Sequence, residues 1–169
     1  MLSIFIELTG RLVEEGNVKV GIGYVDIWRY LRMSIERDAM IKSLKEVVIP
    51  VLRERGFKGS FPHFYRKLEG RTDLLMFQFS MWGGVLYVEI SKCSPEGHTD
   101  VSGKFRTPNK MKVYYIGDGS AWNRYRIGKE VKEMFEFNKD NTDEIAILIR
   151  DALSEAEEWW NSYPNWWSK

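Results

Sequence analysis

The run from Leu75 to Ile90 constrains the fold more tightly than any other part of the chain. Leu75, Phe77, Phe79 and Met81 alternate with Met76, Gln78 and Ser80; after Gly83-Gly84, Leu86, Val88 and Ile90 alternate with Tyr87 and Glu89. Side chains change face at every residue of a strand, so each half presents one apolar face. A Gly-Gly pair between two such runs predicts a two-residue hairpin turn, whose central positions need positive φ. Phe77 and Phe79 are then core residues. Pro62 to Leu68, followed by a turn over Gly70 to Asp73, predicts a strand before the hairpin. Lys110 to Ile116, ended by Gly117-Asp118-Gly119, predicts a fourth strand, and a short fifth falls near Tyr125 to Ile127. Between them, residues 94–109 hold Pro95, Gly97, Gly103 and Pro108 and predict a long loop.

An apolar sheet face has to be covered, and two helical stripes are available. In residues 35–55, Met40, Ile41, Leu44, Val47, Val48, Val51 and Leu52 share one helix face, and Gly56 supplies a C-terminal stop. Pro50 removes the bond to the Glu46 carbonyl, which predicts a kink or a split. The second helix opens at Asn141 or Thr142, with Asp143 and Glu144 in its first turn. Its stripe is Ile145, Leu148, Ile149, Ala152, Leu153, Ala156, Trp159 and Trp160; Glu155, Glu157 and Glu158 are expected to point to water, and Pro164 closes the region. The expected class is α+β: an antiparallel meander of four to five strands, with a Pro-kinked helix and a C-terminal helix on one face. Residues 33–169 read as one domain. Residues 1–32 read as an extension, with Ser3 to Leu8 strand-like and Val18, Val20, Ile22 and Tyr24 alternating as in a strand hairpin.

Composition excludes whole function classes. With 44% hydrophobic and 29% charged residues the chain is not intrinsically disordered. No stretch approaches the ~20 apolar residues of a membrane span, and Met1 to Leu8 lack the positive start of a secretory signal. The single cysteine, Cys93, points to a reducing compartment, and a cytoplasmic location is expected. Catalytic motifs are missing: there is no G-x-S-x-G elbow and no phosphate-binding P-loop. No metal pattern and no cofactor motif appears. Cys93 and His98, five apart across Pro95 and Gly97, are the one pair that would suit a small thiol enzyme.

Binding candidates are more numerous. Trp159, Trp160, Trp166 and Trp167 crowd the C-terminal end, and aromatic clusters anchor interfaces. Gln78, Tyr87 and Glu89, with His63, Tyr65 and Ser80, fall on the strand face opposite Phe77 and Phe79. Arg66 is the expected cross-strand partner of Glu89 there, unless Glu89 faces solvent. Charge is segregated beneath a net +1. Between Lys104 and Lys132, Lys104, Arg106, Lys110, Lys112, Arg124 and Arg126 form a basic set. Nine acids stand against Lys139 and Arg150 from Glu133 to Glu158. A basic surface suits nucleic acid or another anion, an acidic one a basic partner.

Pro50-Val51-Leu52, Gly56-Phe57-Lys58, Phe64-Tyr65-Arg66, Phe77-Gln78-Phe79-Ser80 and Trp82-Gly83-Gly84 together resemble the bacterial domain-of-unknown-function family 4304. The resemblance covers residues 39–92; Tyr125-Arg126-Ile127-Gly128 and the tryptophan-rich end are similar to later landmarks, while 1–32 and 94–123 do not match. It implies a small bacterial cytoplasmic protein and brings no catalytic residues with it. Some families of this kind resemble immunity proteins of toxin loci. The expected function is a non-enzymatic protein-interaction module, toxin-neutralising in type, that binds a protein partner. The alternatives are a nucleic-acid or anion binder using the basic set, and an enzyme built on Cys93 and His98.

Overall fold

The computed structural model describes residues 23–100, 102–117 and 123–167, with side chains from residue 31 onward. The chain divides into two compact units, Met1–Ser34 and Ile35–Lys169. Helix α1 runs over Gly23–Ser43. Tyr24, expected in a strand, is therefore helical; residues 24–49 contain neither Gly nor Pro, so nothing interrupts helix propensity once it starts. The rest of the expected N-terminal strands, Ser3 to Leu8 and Val18 to Ile22, lie outside the described residues.

Pro50 splits the first predicted helix as expected. The helix widens into a π turn over Leu44–Val48 and restarts as α2 over Ile49–Glu54, which places Pro50 in the first turn of α2. An N–H has no intrahelical partner there, so the missing donor does no harm. Met40, Leu44, Val48 and Leu52 are fully buried along this broken rod. Gly56, at φ +83, ends it, with Phe57 N donating to Leu52 O at 2.9 Å and Gly56 N to Arg53 O at 3.0 Å. This is the Schellman closure, which a left-handed residue makes possible.

The sheet contains β1 (Lys58–Ser60), β2 (His63–Lys67), β3 (Thr72–Phe79) and β4 (Val85–Cys93). β5 (His98–Thr99) and β6 (Phe105–Arg106) form a separate two-stranded hairpin inside the stretch expected to be a plain loop. β7 (Arg124–Arg126) and β8 (Phe135–Glu136) both pair with β4, and the main order is β1-β2-β3-β4-β7. All pairings are antiparallel, so the class is α+β as expected. The β3–β4 turn differs in length from the expectation. Ser80 N donates to Val85 O at 2.9 Å, so the loop is the four residues Met81 to Gly84. Gly83 and Gly84 do adopt positive φ, +80 and +66.

Lys110 to Ile116 is not a strand. It coils through two 3₁₀ turns, Pro108–Lys110 and Val113–Tyr115, whose bonds are local: Met111 N to Thr107 O at 3.1 Å and Ile116 N to Val113 O at 3.0 Å. The apolar spacing there reports burial rather than pairing. Met111, Val113 and Ile116 pack on Leu74, Met76 and Cys93, on the sheet face away from the helices. That face is thus largely covered, where a solvated polar face was expected. The opposite face carries the larger core, in which Phe64, Leu75, Phe77, Leu86, Val88 and Ile90 meet α2 and helix α3 (Thr142–Ser162). Phe79 is half-buried against that core. α3 buries Ile145, Ala146, Ile149, Leu153, Ala156, Trp159 and Trp160, whereas Leu148, assigned to its stripe, lies at the margin and is 44% exposed. No helix among the described residues is long and apolar enough to cross a membrane.

Candidate interaction surface

The tryptophan-rich end clasps the sheet instead of forming a patch. Trp159 and Trp160 are buried, and Trp166 and Trp167 are half-buried. The Trp160 indole donates to Ser91 O at 2.8 Å and the Trp166 indole to Lys92 O at 2.9 Å. Lys92, itself buried, completes the clasp by donating through Nζ to Trp160 O at 3.0 Å and to Tyr163 O. Those are carbonyls that the end of α3 leaves without helical partners. Burial, helped by Arg71, lowers the Lys92 pKa to about 8. Amphipathic aromatic rings suit this task, since each contributes apolar area and one N–H donor.

The polar strand residues separate by parity. Tyr87 and Glu89 share the face away from the helices, and Gln78 pairs with Tyr87 in register and is exposed. Glu89 is buried and pairs not with Arg66 but with Arg124 and with Arg126 at 2.8 Å, on the neighbouring β7. Arg126 also covers the Tyr87 ring at 4.4 Å. Arg66 is on the helix side, over Phe57 at 4.6 Å, and binds Asp73 at 2.8 Å and Glu157 at 2.7 Å. Strand alternation already separates Arg66 from Glu89: Arg66 shares its face with Phe64, and Glu89 the opposite face. His63 sits half-buried edge-on to Tyr114, its pKa lowered by burial and by Lys112.

Both charged sets are partly consumed inside the fold. Glu155 accepts from the Tyr125 hydroxyl and from Gly128 N at 2.9 Å, and Glu157 holds Arg66. Of the three glutamates expected in water, only Glu158 is exposed. Arg106 binds Asp100 at 2.5 Å and lies 3.7 Å from the Tyr115 ring centre, and Arg124 and Arg126 answer Glu89. Lys112 lies near the Tyr114 ring, and Lys104 and Lys110 stand exposed. The thiol of Cys93 is buried in apolar surroundings, which push its pKa up to about 12, the reverse of nucleophile activation. His98 stacks edge-on to Trp166, ring centres 4.6 Å apart. Among the described residues, no group of three or more His, Cys, Asp or Glu gathers for a metal ion.

Among the apolar side chains that the fold leaves outside, two adjoin at the tip of the β3–β4 hairpin. Met81 is 80% exposed and Trp82 70%, the two most exposed large apolar side chains among the described residues. Two features escape a reading by alternation: Met81 continues the β3 pattern but lies beyond the last strand pair, and Trp82 precedes the glycines. At the root of the hairpin is an open pocket of about 480 Å³, lined by Gly84, Val85, Glu136, Phe137, Asn138 and Asn141. The same segment leads into α3 through Asp140, Asp143 and Glu144, all exposed, against one exposed cation, Lys139.

The pattern of the sheet, the Gly56 stop and the C-terminal clasp can be set beside known families. A family described as Domain of unknown function (DUF4304) matches residues 47–163. The chain belongs to this family. The DUF4304 match begins in the π turn and ends at Tyr163, the residue whose carbonyl Lys92 holds. It also runs through residues 94–123, which the motif resemblance left aside. No curated protein and no solved structure matches the chain.

Proposed function

We propose that this DUF4304 chain is a non-enzymatic protein-interaction module that docks a basic partner on the hairpin tip. The observation that carries the reading is the adjacent exposure of Met81 and Trp82, next to a pocket shared with the acidic entry to α3. Trp82 acts as the anchor, entering an apolar recess of the partner. Glu136, Asp140 and Glu144 supply the complementary field, which favours fast encounter with a basic protein more than it adds affinity. A basic toxin is a partner of this chemistry, and neutralising it requires only that the docked surface be covered.

The test is capture from the native cell with the full chain, run in parallel with Trp82→Ala and with the charge-reversed pair Glu136→Lys and Glu144→Lys. The reading predicts one stoichiometric protein held by the native chain, lost with Trp82→Ala, and held with a steeper salt dependence than by the charge-reversed chain. A partner held equally by all three chains would refute the hairpin surface. Nucleic acid in place of protein, released by salt, would move the activity to Lys104 and Lys110.

A further inference from the structure

The sheet face away from the helices is basic and aromatic where the 3₁₀ coil leaves it open. Lys58 stands opposite Tyr65 in register and Ser60 opposite His63, so Lys58, His63, Tyr65 and Lys67 share one face of β1 and β2. Tyr65 packs on the smaller core, which identifies this as the face under the coil. The coil adds rings and cations of its own. Tyr114 is 43% exposed, and its ring centre lies 5.5 Å from that of His63, 4.5 Å from that of Tyr115 and 5.6 Å from Lys112 Nζ. With Arg106 over Tyr115, the sequence His63, Tyr114, Tyr115, Arg106 is an unbroken ladder of neighbouring planar groups. Lys58, Lys67 and Lys110 are exposed, and they and Lys112 make no ion pair among the described residues. Asp100, the partner of Arg106, is buried and also accepts from the backbone N–H groups of Ser102 and Lys104. Arg106 gives it only Nε–H, so both terminal nitrogens are without a hydrogen-bond partner among the described residues.

We infer that this face binds single-stranded nucleic acid, with phosphates on Lys58, Lys67, Lys110 and Lys112 and a base stacked on Tyr114. Unpaired cations distributed over β1, β2 and the coil suit a chain of phosphates better than one small anion. An exposed ring among them suits an unpaired base, whose π face a duplex keeps inside its own stack. An acidic peptide would answer the lysines and leave the Tyr114 ring without a counterpart. The surface is not the basic set that the sequence displays. Arg124 and Arg126 of that set are spent on Glu89, and folding replaces them with Lys58 and Lys67 from a distant part of the chain. The hairpin tip takes no part, so this inference stands or falls without the protein partner proposed above.

The test follows the fluorescence anisotropy of three labelled probes with the purified full chain: a twelve-residue oligothymidylate, the same strand in duplex with oligoadenylate, and a twelve-residue oligoglutamate. The oligothymidylate should bind at micromolar concentration in ~50 mM salt, with log K falling against log salt at a slope of about −2 to −3, the ion release of three or four phosphates. Lys58→Ala combined with Lys110→Ala should make that slope shallower by about 1.4. Tyr114→Ala should weaken binding about tenfold with the slope unchanged, and Tyr114→Phe, which keeps the ring, should restore it. The duplex and the oligoglutamate should bind at least fivefold more weakly, and Trp82→Ala should bind the strand as the native chain does. No binding in ~50 mM salt, a slope unmoved by the lysine pair, or a duplex or oligoglutamate held as tightly as the strand would overturn the inference. Both lysines are exposed, so their exchange leaves the fold intact and decides the question even where Tyr114→Ala is less stable.

Discussion

Lys92 holds the C-terminal end by giving its ammonium protons to two backbone carbonyls inside the protein. Its folded pKa of about 8 lies below its ordinary 10.5. Between those values the unfolded chain keeps a proton that the folded chain has released, so stability rises with pH through that window. Cys93 acts in the opposite sense. Its folded pKa of about 12 stands above the ordinary 9.0, so from pH 9 upward the unfolded thiol ionises first and stability falls. Chemical denaturation across pH 7 to 11 should therefore show stability rising from about pH 8 to 9, level between about 9 and 10.5 where the two slopes cancel, and falling beyond. Lys92→Met should remove the rising limb, and Cys93→Ala should soften the falling one. A profile unchanged in both variants would mean that these two groups do not titrate as their surroundings dictate.

At the same scale, Asp73 shows why buried charges survive in this fold. It is fully buried, and it accepts from Arg66 at 2.8 Å and from Arg71 at 2.7 Å, while Arg66 also reaches Glu157 on α3. Removing Arg66 takes one of two cations from the buried Asp73, which keeps Arg71, and leaves Glu157 only the longer contact to Arg55 at 3.6 Å, which costs about 1–3 kcal/mol. Arg66→Met is predicted to lower stability by that order, as read from urea midpoints. A surface change such as Glu158→Ala should stay within about 0.5 kcal/mol.

Among the elements, the hairpin from β3 to β4 is the part most legible in the sequence. Its alternation is local, and each half carries its own face assignment. The helix break at Pro50 is legible for the same reason, since a missing N–H has a local consequence. The burial of the 3₁₀ coil around Val113 against the sheet and the clasp of Trp160 and Trp166 are not local. They depend on which chain segment finds the open sheet face, and nothing in a run of neighbours states that. Elements also carry their own sensitivities. Gly97 has φ +116, and a Cβ there would stand 2.1 Å from Arg106 O, across the β5–β6 hairpin. Gly97→Ala should cost at least about 2 kcal/mol through strain and steric clash. Pro50→Ala, by contrast, should lower stability by only about 0.5–1 kcal/mol, through added freedom of the unfolded chain. Thermal melts of the two variants distinguish the cases.

For the molecule as a whole, the aromatic load serves mainly to hold the unit Ile35–Lys169 together. A large core on the helix side and a smaller one under the 3₁₀ coil share β3 and β4 as their common wall. Deleting atoms from either side should therefore lower the same unfolding transition. Ile116→Ala in the smaller core is predicted to cost about 2–5 kcal/mol, comparable to Leu153→Ala in the larger one. The interior tryptophans, Arg66, Glu89 and Glu157 are committed to structure, while Met81 and Trp82 stand exposed. In the sequence, acids and several tryptophans crowd together near the C-terminus. Folding sets Gly84 and Val85, which follow Trp82 in the chain, beside Glu136.

In the proposed function, Trp82 anchors a protein partner. The most direct test measures the affinity of the captured partner, purified, for the native chain and for Trp82→Ala by calorimetry at fixed salt, with the melting temperature of each chain as a control for folding. The expected result is a loss of at least about thirtyfold, the order of 2 kcal/mol that an anchor residue contributes, with the melting temperature unchanged. Equal affinity of two equally stable chains would contradict it.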